Sequence, residues 1–249
     1  VKVSVITICF NSAETIEDTI KSVLSQNYRD LEYIIVDGAS RDSTIEIVSN
    51  YAERIHHILS EPDKGIYDAM NKGVALASGD IIGILNSDDV YVDNQVISDV
   101  VQRFKESGAD GVYADLEYVD RNDLSRVIRR WKAGPYLPGH FLKGWMPPHP
   151  TFFVKKECYT TYGQYNLQLR SAADYELMLR FIHRYRIKLS YLPRVIIKMR
   201  VGGQSNVSLR NRVNANLEDR QAWEINGLRP GWLTLLRKPL SKLSQYWKR

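Results

Sequence analysis

An α/β fold, with a mainly parallel sheet flanked by helices, is the class this sequence predicts. Three observations point to it. Apolar β-rich runs alternate with segments of helical periodicity through the first hundred residues. The connections between them are short, which favours right-handed parallel crossovers over separate layers. An apolar run, Ile81-Ile82-Gly83-Ile84-Leu85, leads directly into Asn86-Ser87-Asp88-Asp89, as a buried strand ending in a polar loop would.

Val3–Cys9 is a β-rich run, and Glu14–Gln26 carries Ile16, Ile20, Val23 and Leu24 at helical spacing. Tyr33–Val36 is a second buried strand, followed by Asp37-Gly38-Ala39-Ser40 and a helix near Asp42–Tyr51. Ile55–Leu59 is a third strand, Tyr67–Ala77 a helix and Ile81–Leu85 the fourth strand, with a further helix starting near Asp93. Gly111–Val119 and Arg126–Trp131 read as extended, and Gly134–Pro150, rich in Pro, Gly and aromatics, as a long functional loop. A strand at Phe152–Val154, a helix at Ala173–Arg184, strands at Ile187–Tyr191 and Val195–Arg200 and a helix at Leu209–Asn226 complete the pattern. The expected organisation is one domain over residues 1–226, with a nucleotide-binding half to about 110 and an acceptor half from about 111. A tail follows over 227–249.

With 249 residues the chain can bury a full core. No apolar run approaches the roughly 18 residues of a membrane-spanning helix. Val1-Lys2-Val3-Ser4-Val5 starts in a strand pattern without a signal-peptide profile. Cys9 and Cys158 are the only cysteines, too few for a disulfide framework or a zinc site. The expectation is a cytoplasmic protein, for which the sequon Asn206-Val207-Ser208 means little. The net charge of +5 is uneven: Arg229, Arg237, Lys238, Lys242, Lys248 and Arg249 lie in an acid-free tail, and the rest sums to −1. A nucleic-acid binder would spread its basic charge over the folded domain, so no nucleic-acid partner is expected.

Each of the four N-terminal strands ends in a polar loop: Phe10-Asn11, Asp37-Gly38, Glu61-Pro62-Asp63-Lys64-Gly65 and Ser87-Asp88-Asp89. In a parallel sheet these ends share the edge where ligands bind. Adjacent carboxylates repel, so a site holding both usually supplies a cation, and hard oxygen ligands suit Mg²⁺ or Mn²⁺. A polar turn with a helix cap would look the same locally. Neither G-x-G-x-x-G after the first strand nor G-x-x-x-x-G-K-[ST] is present, so dinucleotide and P-loop sites are unsupported. The absence of G-x-S-x-G removes the usual hydrolase elbow.

The segments VSVITICFNSAETIEDTIKSVLSQNY, IIVDGASRDST, SEPDKGIYDAMNKGVALASGDIIGILNSDD, HPTFFVKK and AADYELMLRF, in this order over roughly residues 3–200, resemble a family 2 glycosyltransferase. The resemblance implies a GT-A fold with a Rossmann-like, mixed but mainly parallel sheet. It also implies inverting transfer of a sugar from a nucleotide-diphosphate sugar, UDP-linked by expectation, to a saccharide or lipid-linked saccharide in polysaccharide assembly.

Carried over by position, Thr7 and Asn11 would line the nucleotide pocket and Asp37 would accept hydrogen bonds from the base, a role suited to an acceptor-only carboxylate. Lys64 and Asp68 would border base, ribose and phosphate, with Asn71 on the same helix face as Asp68. Ser87, Asp88 and Asp89 form a DXD-like element in which Asp89 would ligate the metal and Asp88 contact the ribose or help hold the ion. The metal would neutralise the leaving diphosphate. Asp174 is the candidate general base, with Glu176 in reserve. His149, held among prolines, would meet the diphosphate or acceptor, whereas His56 and His57 read as structural. Many members of the family carry a histidine in an R-x-H element near the end of this domain; here the matching stretch is Met199-Arg200-Val201-Gly202-Gly203, so no histidine ligand is expected.

In the tail, Trp232, Leu236, Leu240, Leu243 and Trp247 alternate with basic residues at helical steps, the make-up of an interfacial helix on an anionic membrane. Pro239 would kink it, and a basic helix packed on the domain would read alike. The expected location is therefore cytoplasmic, peripheral on the inner face of the plasma membrane. Two other classes remain open. A sugar-phosphate nucleotidyltransferase would carry a glycine-rich basic turn after the first strand, where Phe10-Asn11-Ser12-Ala13 stands. A non-catalytic nucleotide-sugar binding module would more readily have lost Asp89 or Asp174.

Overall fold

The computed structural model describes residues 1–202 and 209–230, so the amphipathic tail and the Asn206 sequon lie outside the described residues. Chain order begins β1 (Val3–Cys9), α1 (Ile16–Leu24), β2 (Leu31–Asp37), α2 (Thr44–Ser49), β3 (His57–Ser60) and α3 (Ile66–Leu76). It continues through β4 (Ile81–Asn86), β5 (Asp89–Tyr91), α4 (Val96–Ser107), β6 (Gly111–Val119) and β7 (Val127–Trp131). β8 (Phe153–Lys155), α5 (Lys156–Tyr162), α6 (Ala173–Met178), β9 (Leu189–Arg200) and α7 (Leu209–Ile225) follow.

The strands form one sheet in the order β3-β2-β1-β4-β8-β6-β9-β5, with β7 beside β6. β1 pairs in parallel with β2 and β4, and β2 with β3, so four consecutive strands end on one edge. β8 runs antiparallel to both β4 and β6, which returns β6 to the direction of β4. Every residue of β1 is buried because helices cover both of its faces. On one face, Ile16, Ile20 and Val23 of α1 and Val96, Ile97, Val100 and Val101 of α4 pack on Val3, Val5 and Leu85. On the other, Tyr67, Met70 and Val74 of α3 and Tyr175, Leu177 and Met178 of α6 pack with Ile6, Ile8 and Ile84. A Cβ at Gly83 would stand 2.3 Å from the Phe153 ring, so glycine is what lets that aromatic lie across β4.

Only two residues separate the end of β4 from the start of β5, yet β5 stands four strand steps away in the sheet order. In a flat sheet that separation is about 19 Å, and three Cα steps cover at most about 11 Å. The sheet must therefore curl, bringing its two parts together at Ser87-Asp88.

Three expectations change in detail. The two late strands are one, β9, whose pairing with β6 skips Pro193 and Arg194 at an irregularity, so the proline breaks a ladder position without ending the strand. The helix expected over 173–184 is α6 followed by a π-helical turn at Leu179–Arg184, closed by a hydrogen bond from the Tyr185 amide to the Arg180 carbonyl. The loop at 134–150 contains two short 3-10 turns, His140–Lys143 and His149–Thr151.

Candidate active site

The four parallel strand ends are tied to one another by side chains. The Asn11 amide N–H donates to Ser40 Oγ at 2.8 Å, and the Arg41 amide donates to Asn11 Oδ1 at 2.9 Å. Ser12 and Ser87 hydroxyls share a hydrogen bond of 2.8 Å, joining the loop after β1 to the loop after β4. Gly38 packs against the Asp63 carboxylate, where any Cβ would stand 2.4 Å from Oδ2. Asn11 (φ 48°) and Ala39 (φ 62°) hold left-handed backbone at this edge, a conformation that surrounding contacts must enforce. Lys64 is exposed on the same rim, and its amide is fixed by Asp68 Oδ2 at 3.0 Å.

Asp37 is fully buried at the end of β2. Its Oδ1 accepts from Ser40 Oγ (2.5 Å) and Cys9 Sγ (3.7 Å), and its Oδ2 from the Ser40 amide (3.0 Å) and Ser60 Oγ (2.6 Å). A ligand imide reaching this carboxylate would exchange places with a serine hydroxyl, which can rotate. Two expected pocket residues are not presented to a ligand here. Thr7 is fully buried under the sheet, where its hydroxyl accepts from Tyr33 Oη at 3.1 Å, because odd-numbered positions of β1 face α1 and α4. Asn71 spends both amide atoms on the backbone of Tyr165: Nδ2 donates to the carbonyl at 2.9 Å and Oδ1 accepts from the amide at 2.9 Å. It is a latch between α3 and the loop before α6.

At the junction of β4 and β5, Asp89 is fully buried. Oδ2 accepts from Asn86 Nδ2 at 3.2 Å, whereas Oδ1 of Asp89 and Oδ1 of Asn86 are buried without a partner. Burial pushes the Asp89 carboxyl well above its usual range, and the neighbouring Asp88 charge pushes it further. Asp88 is also raised by burial. The guanidinium of Arg200 opposes both shifts. That side chain is 4% exposed and donates to the carbonyls of Asp88 (2.9 Å) and Arg121 (3.1 Å) and to Asp18 Oδ2 (2.5 Å). Arg200 thus stands as a fixed cation behind the carboxylates. Two orphaned acceptors beside a second carboxylate fit a hard divalent cation. No cluster of three or more His, Cys, Asp or Glu forms among the described residues. Such an ion would take its remaining ligands from phosphate and water, as Mg²⁺ commonly does.

Asp174 lies in the first turn of α6, half-buried. Tyr67 Oη donates to its Oδ1 at 3.0 Å. Burial first, and the Asp174 charge second, hold the Tyr67 phenol well above its ordinary range, so it stays a donor. The Tyr67 ring stacks on Tyr165 with centroids 5.7 Å apart, and Tyr165 Oη shares a 2.8 Å hydrogen bond with His149 Nε2. Burial pushes the His149 imidazole below its usual range, with Asp174 opposing, so a neutral ring is favoured. Asp174 and His149, far apart in sequence, therefore belong to one network. Glu176 does not: it is fully buried, holds Arg180 through both oxygens at 2.9 Å and accepts from Asn226 at 2.9 Å. His56 Nδ1 accepts the Tyr33 amide at 3.1 Å, a structural role as expected.

Sequence reasoning assigned no role to Asn86, Tyr67, Tyr165 or Arg200. Asn86 and Tyr67 lie inside the motifs that were read, but what marks them is a partner three residues away in one case and more than a hundred in the other. Two cavities, of about 340 Å³ beside Tyr113, Tyr136 and Tyr191 and about 670 Å³ beside Ser78-Gly79-Asp80, lie away from this edge and include none of its carboxylates.

The model of glycosyl transferase family 2 matches residues 4–165. An uncharacterized glycosyltransferase from Mycobacterium tuberculosis is 35% identical over 174 residues, covering 69% of this chain and 65% of the relative. A PGL/p-HBAD biosynthesis glycosyltransferase from Mycobacterium bovis is 30% identical over 175 residues, covering 69% and 66%. The match thus spans about two thirds of the length of these relatives. Among solved structures, TarS 1-349 from S. aureus in complex with UDP aligns with TM-score 0.68 at 17% identity, covering 98% of this chain and 72% of that one. The mannosyltransferase PcManGT from Pyrobaculum calidifontis, in complex with GDP-Man and Mn²⁺, aligns with TM-score 0.68 at 19% identity, covering 99% and 71%. These neighbours share the GT-A fold.

Proposed function

The chain belongs to glycosyl transferase family 2, and on that premise we propose that it is a glycosyltransferase that moves a sugar, with inversion, from a nucleotide-diphosphate sugar to a hydroxyl of a saccharide or lipid-linked saccharide. The observation that carries this reading is the orphaned Oδ1 of Asp89 beside Asp88, on the edge where Asp37 closes β2. TarS is recorded with UDP and with UDP-GlcNAc, and PcManGT with GDP-Man and Mn²⁺, which supports a nucleotide sugar and a divalent ion here as well.

In this reading Asp37 takes the base, Asn11 and the Lys64–Asp68 turn flank the nucleoside, and Asp89, Asp88 and Asn86 hold a Mn²⁺ or Mg²⁺ ion. When bound, that ion offsets the charge that develops on the departing diphosphate. Arg200 anchors the loop from behind, so Asp88 and Asp89 keep their spacing as charge moves. Asp174 receives the proton of the acceptor hydroxyl as the new C–O bond forms, its second oxygen aimed by the hydrogen bond from Tyr67 to the first. One carboxylate acting opposite the leaving group gives a single displacement and therefore inversion. His149, neutral and fixed by Tyr165, lines the acceptor side.

Among the described residues no helix is long and apolar enough to cross a membrane. A lipid-linked acceptor would be met from a peripheral position. The test is release of UDP or GDP from a panel of UDP- and GDP-sugars with Mn²⁺, with the anomer of the product read by NMR. An α-linked donor giving a β-linked product supports inversion. A retained anomer contradicts it.

A further inference from the structure

From Leu124 to Lys156 the chain contains no Asp or Glu. Within that stretch Arg126, Arg129, Arg130, Lys132 and Lys143 lie on the β7 limb of the β6–β7 hairpin and on the loop that follows. The same segment exposes large aliphatic side chains: Val127 and Ile128 at 45% each, Leu137 at 58% and Leu142 at 40%. The pairing of β6 with β7 is irregular at Tyr118/Val119, so Ile128 has no opposite residue on β6.

The loop is firmly built. Trp145 Nε1 donates to the Ala133 carbonyl at 2.9 Å and Tyr113 Oη to the Gly134 carbonyl at 2.8 Å. The Trp145 ring packs on Tyr136 (5.2 Å) and Phe141 (5.7 Å). Phe141 takes the buried position while Leu137 and Leu142 stay outside, so their exposure is a property of a packed loop. Acids near the hairpin are partly engaged: Glu117 with Arg130, Asp120 with Arg126 at 3.5 Å, and Asp123 with Ser125. The hairpin turn also adjoins the nucleotide edge, since Arg200 bonds the carbonyls of both Arg121 and Asp88.

We propose that the exposed Val127, Ile128 and Leu137, on the acid-free stretch that also carries Arg126, Lys132 and Lys143, dock on an anionic lipid bilayer and bring the active edge to the membrane. Aliphatic tips among cations suit acyl chains below and anionic headgroups around, a pairing of apolar contact and charge that a bilayer supplies in one surface. The proposal rests on the reading of a lipid-linked acceptor and extends it by assigning the contact to the folded domain, independently of the tail.

The test is flotation of the full chain with vesicles of phosphatidylcholine alone and of phosphatidylcholine mixed with phosphatidylglycerol. Three double variants are compared: Val127→Ser with Ile128→Ser, Arg126→Glu with Lys132→Glu, and Arg237→Glu with Lys238→Glu in the tail. The expected result is flotation with the anionic vesicles only, reduced at least about fivefold by each hairpin variant and less by the tail variant. Added salt weakens it. Hairpin variants that float like the unaltered chain overturn the proposal, as does failure of the unaltered chain to float with either vesicle. Stabilisation by UDP or GDP, measured on the same proteins, separates the outcomes: its presence without flotation leaves the transferase reading standing and removes only the membrane face.

Discussion

Tyr67 donates a hydrogen bond of 3.0 Å to one oxygen of Asp174, joining the helix that follows the third strand to the helix that carries the candidate base. In the proposed mechanism this contact leaves the second oxygen of Asp174 to receive the acceptor's proton. It also links that carboxylate, through the stack of Tyr67 on Tyr165, to His149.

Replacing Asp174 with Asn removes the base without removing its shape, so kcat is expected to fall by about 100-fold or more while nucleotide affinity is retained. Tyr67→Phe keeps the ring stack and deletes only the donor. A hydrogen bond to a charged group contributes about 1.5–3 kcal/mol, so kcat should fall by about tenfold or more with KM little changed. Steady-state kinetics on the two variants separates the roles. Full activity in Asp174→Asn contradicts the base assignment; full activity in Tyr67→Phe alone contradicts only the positioning.

Asn71 is predicted to act as a latch. Asn71→Ala strips two hydrogen bonds from the Tyr165 backbone and should destabilise the fold by about 1–3 kcal/mol, or several degrees in Tm for a chain of this size. Nucleotide affinity should change less than about twofold, well under the tenfold that 1.4 kcal/mol represents. A large loss of nucleotide affinity with an unchanged melting point would restore Asn71 to the donor pocket.

The acid stability of the chain is predicted to depend on Glu32, at the opposite edge of the sheet. Buried and receiving hydrogen bonds from Lys2, Ser4 and Ser78, it is held at about 2 against an ordinary 4.5, the hydrogen bonds outweighing the opposing effect of burial. A depressed carboxylate contributes stability that is complete above its unfolded value and lost as pH falls through the folded one. The loss should therefore run from about 4.5 down to about 2 and reach roughly 3 kcal/mol. Denaturant midpoints measured across this window should fall in the unaltered chain and stay flatter in Glu32→Gln.

The alternation of strands and helices was legible because periodicity is a local property: Gly111–Val119 falls on β6 as read, and Ile81–Leu85 on β4. The strand order was not, since the placement of β8 between β4 and β6 and of β5 beside β9 depends on partners remote in sequence. The same division runs through the site. Asp88, Asp89 and Asp174 carry charge at element ends and announce themselves. Thr7 also stands near a strand end, but side-chain alternation turns it into the helix-covered face. Arg200 entered the sequence reading only as part of a stretch that lacks a histidine, because its bonds to Asp18, Asp88 and Arg121 appear only once the sheet curls.

In the proposed function Asp89 waits for a cation that holds a nucleotide diphosphate. Titration calorimetry of UDP and GDP, with and without Mn²⁺, on the unaltered chain and on Asp89→Asn tests this role directly, with ligand-free melting points taken alongside. One nucleotide is expected to bind at least about tenfold more tightly with Mn²⁺, a difference of about 1.4 kcal/mol, with no metal effect in Asp89→Asn. The variant is also expected to melt higher without ligand, because a buried carboxylate beside a second negative charge has been neutralised. Equal, metal-independent binding by both proteins, or a lower melting point in the variant, would contradict this role.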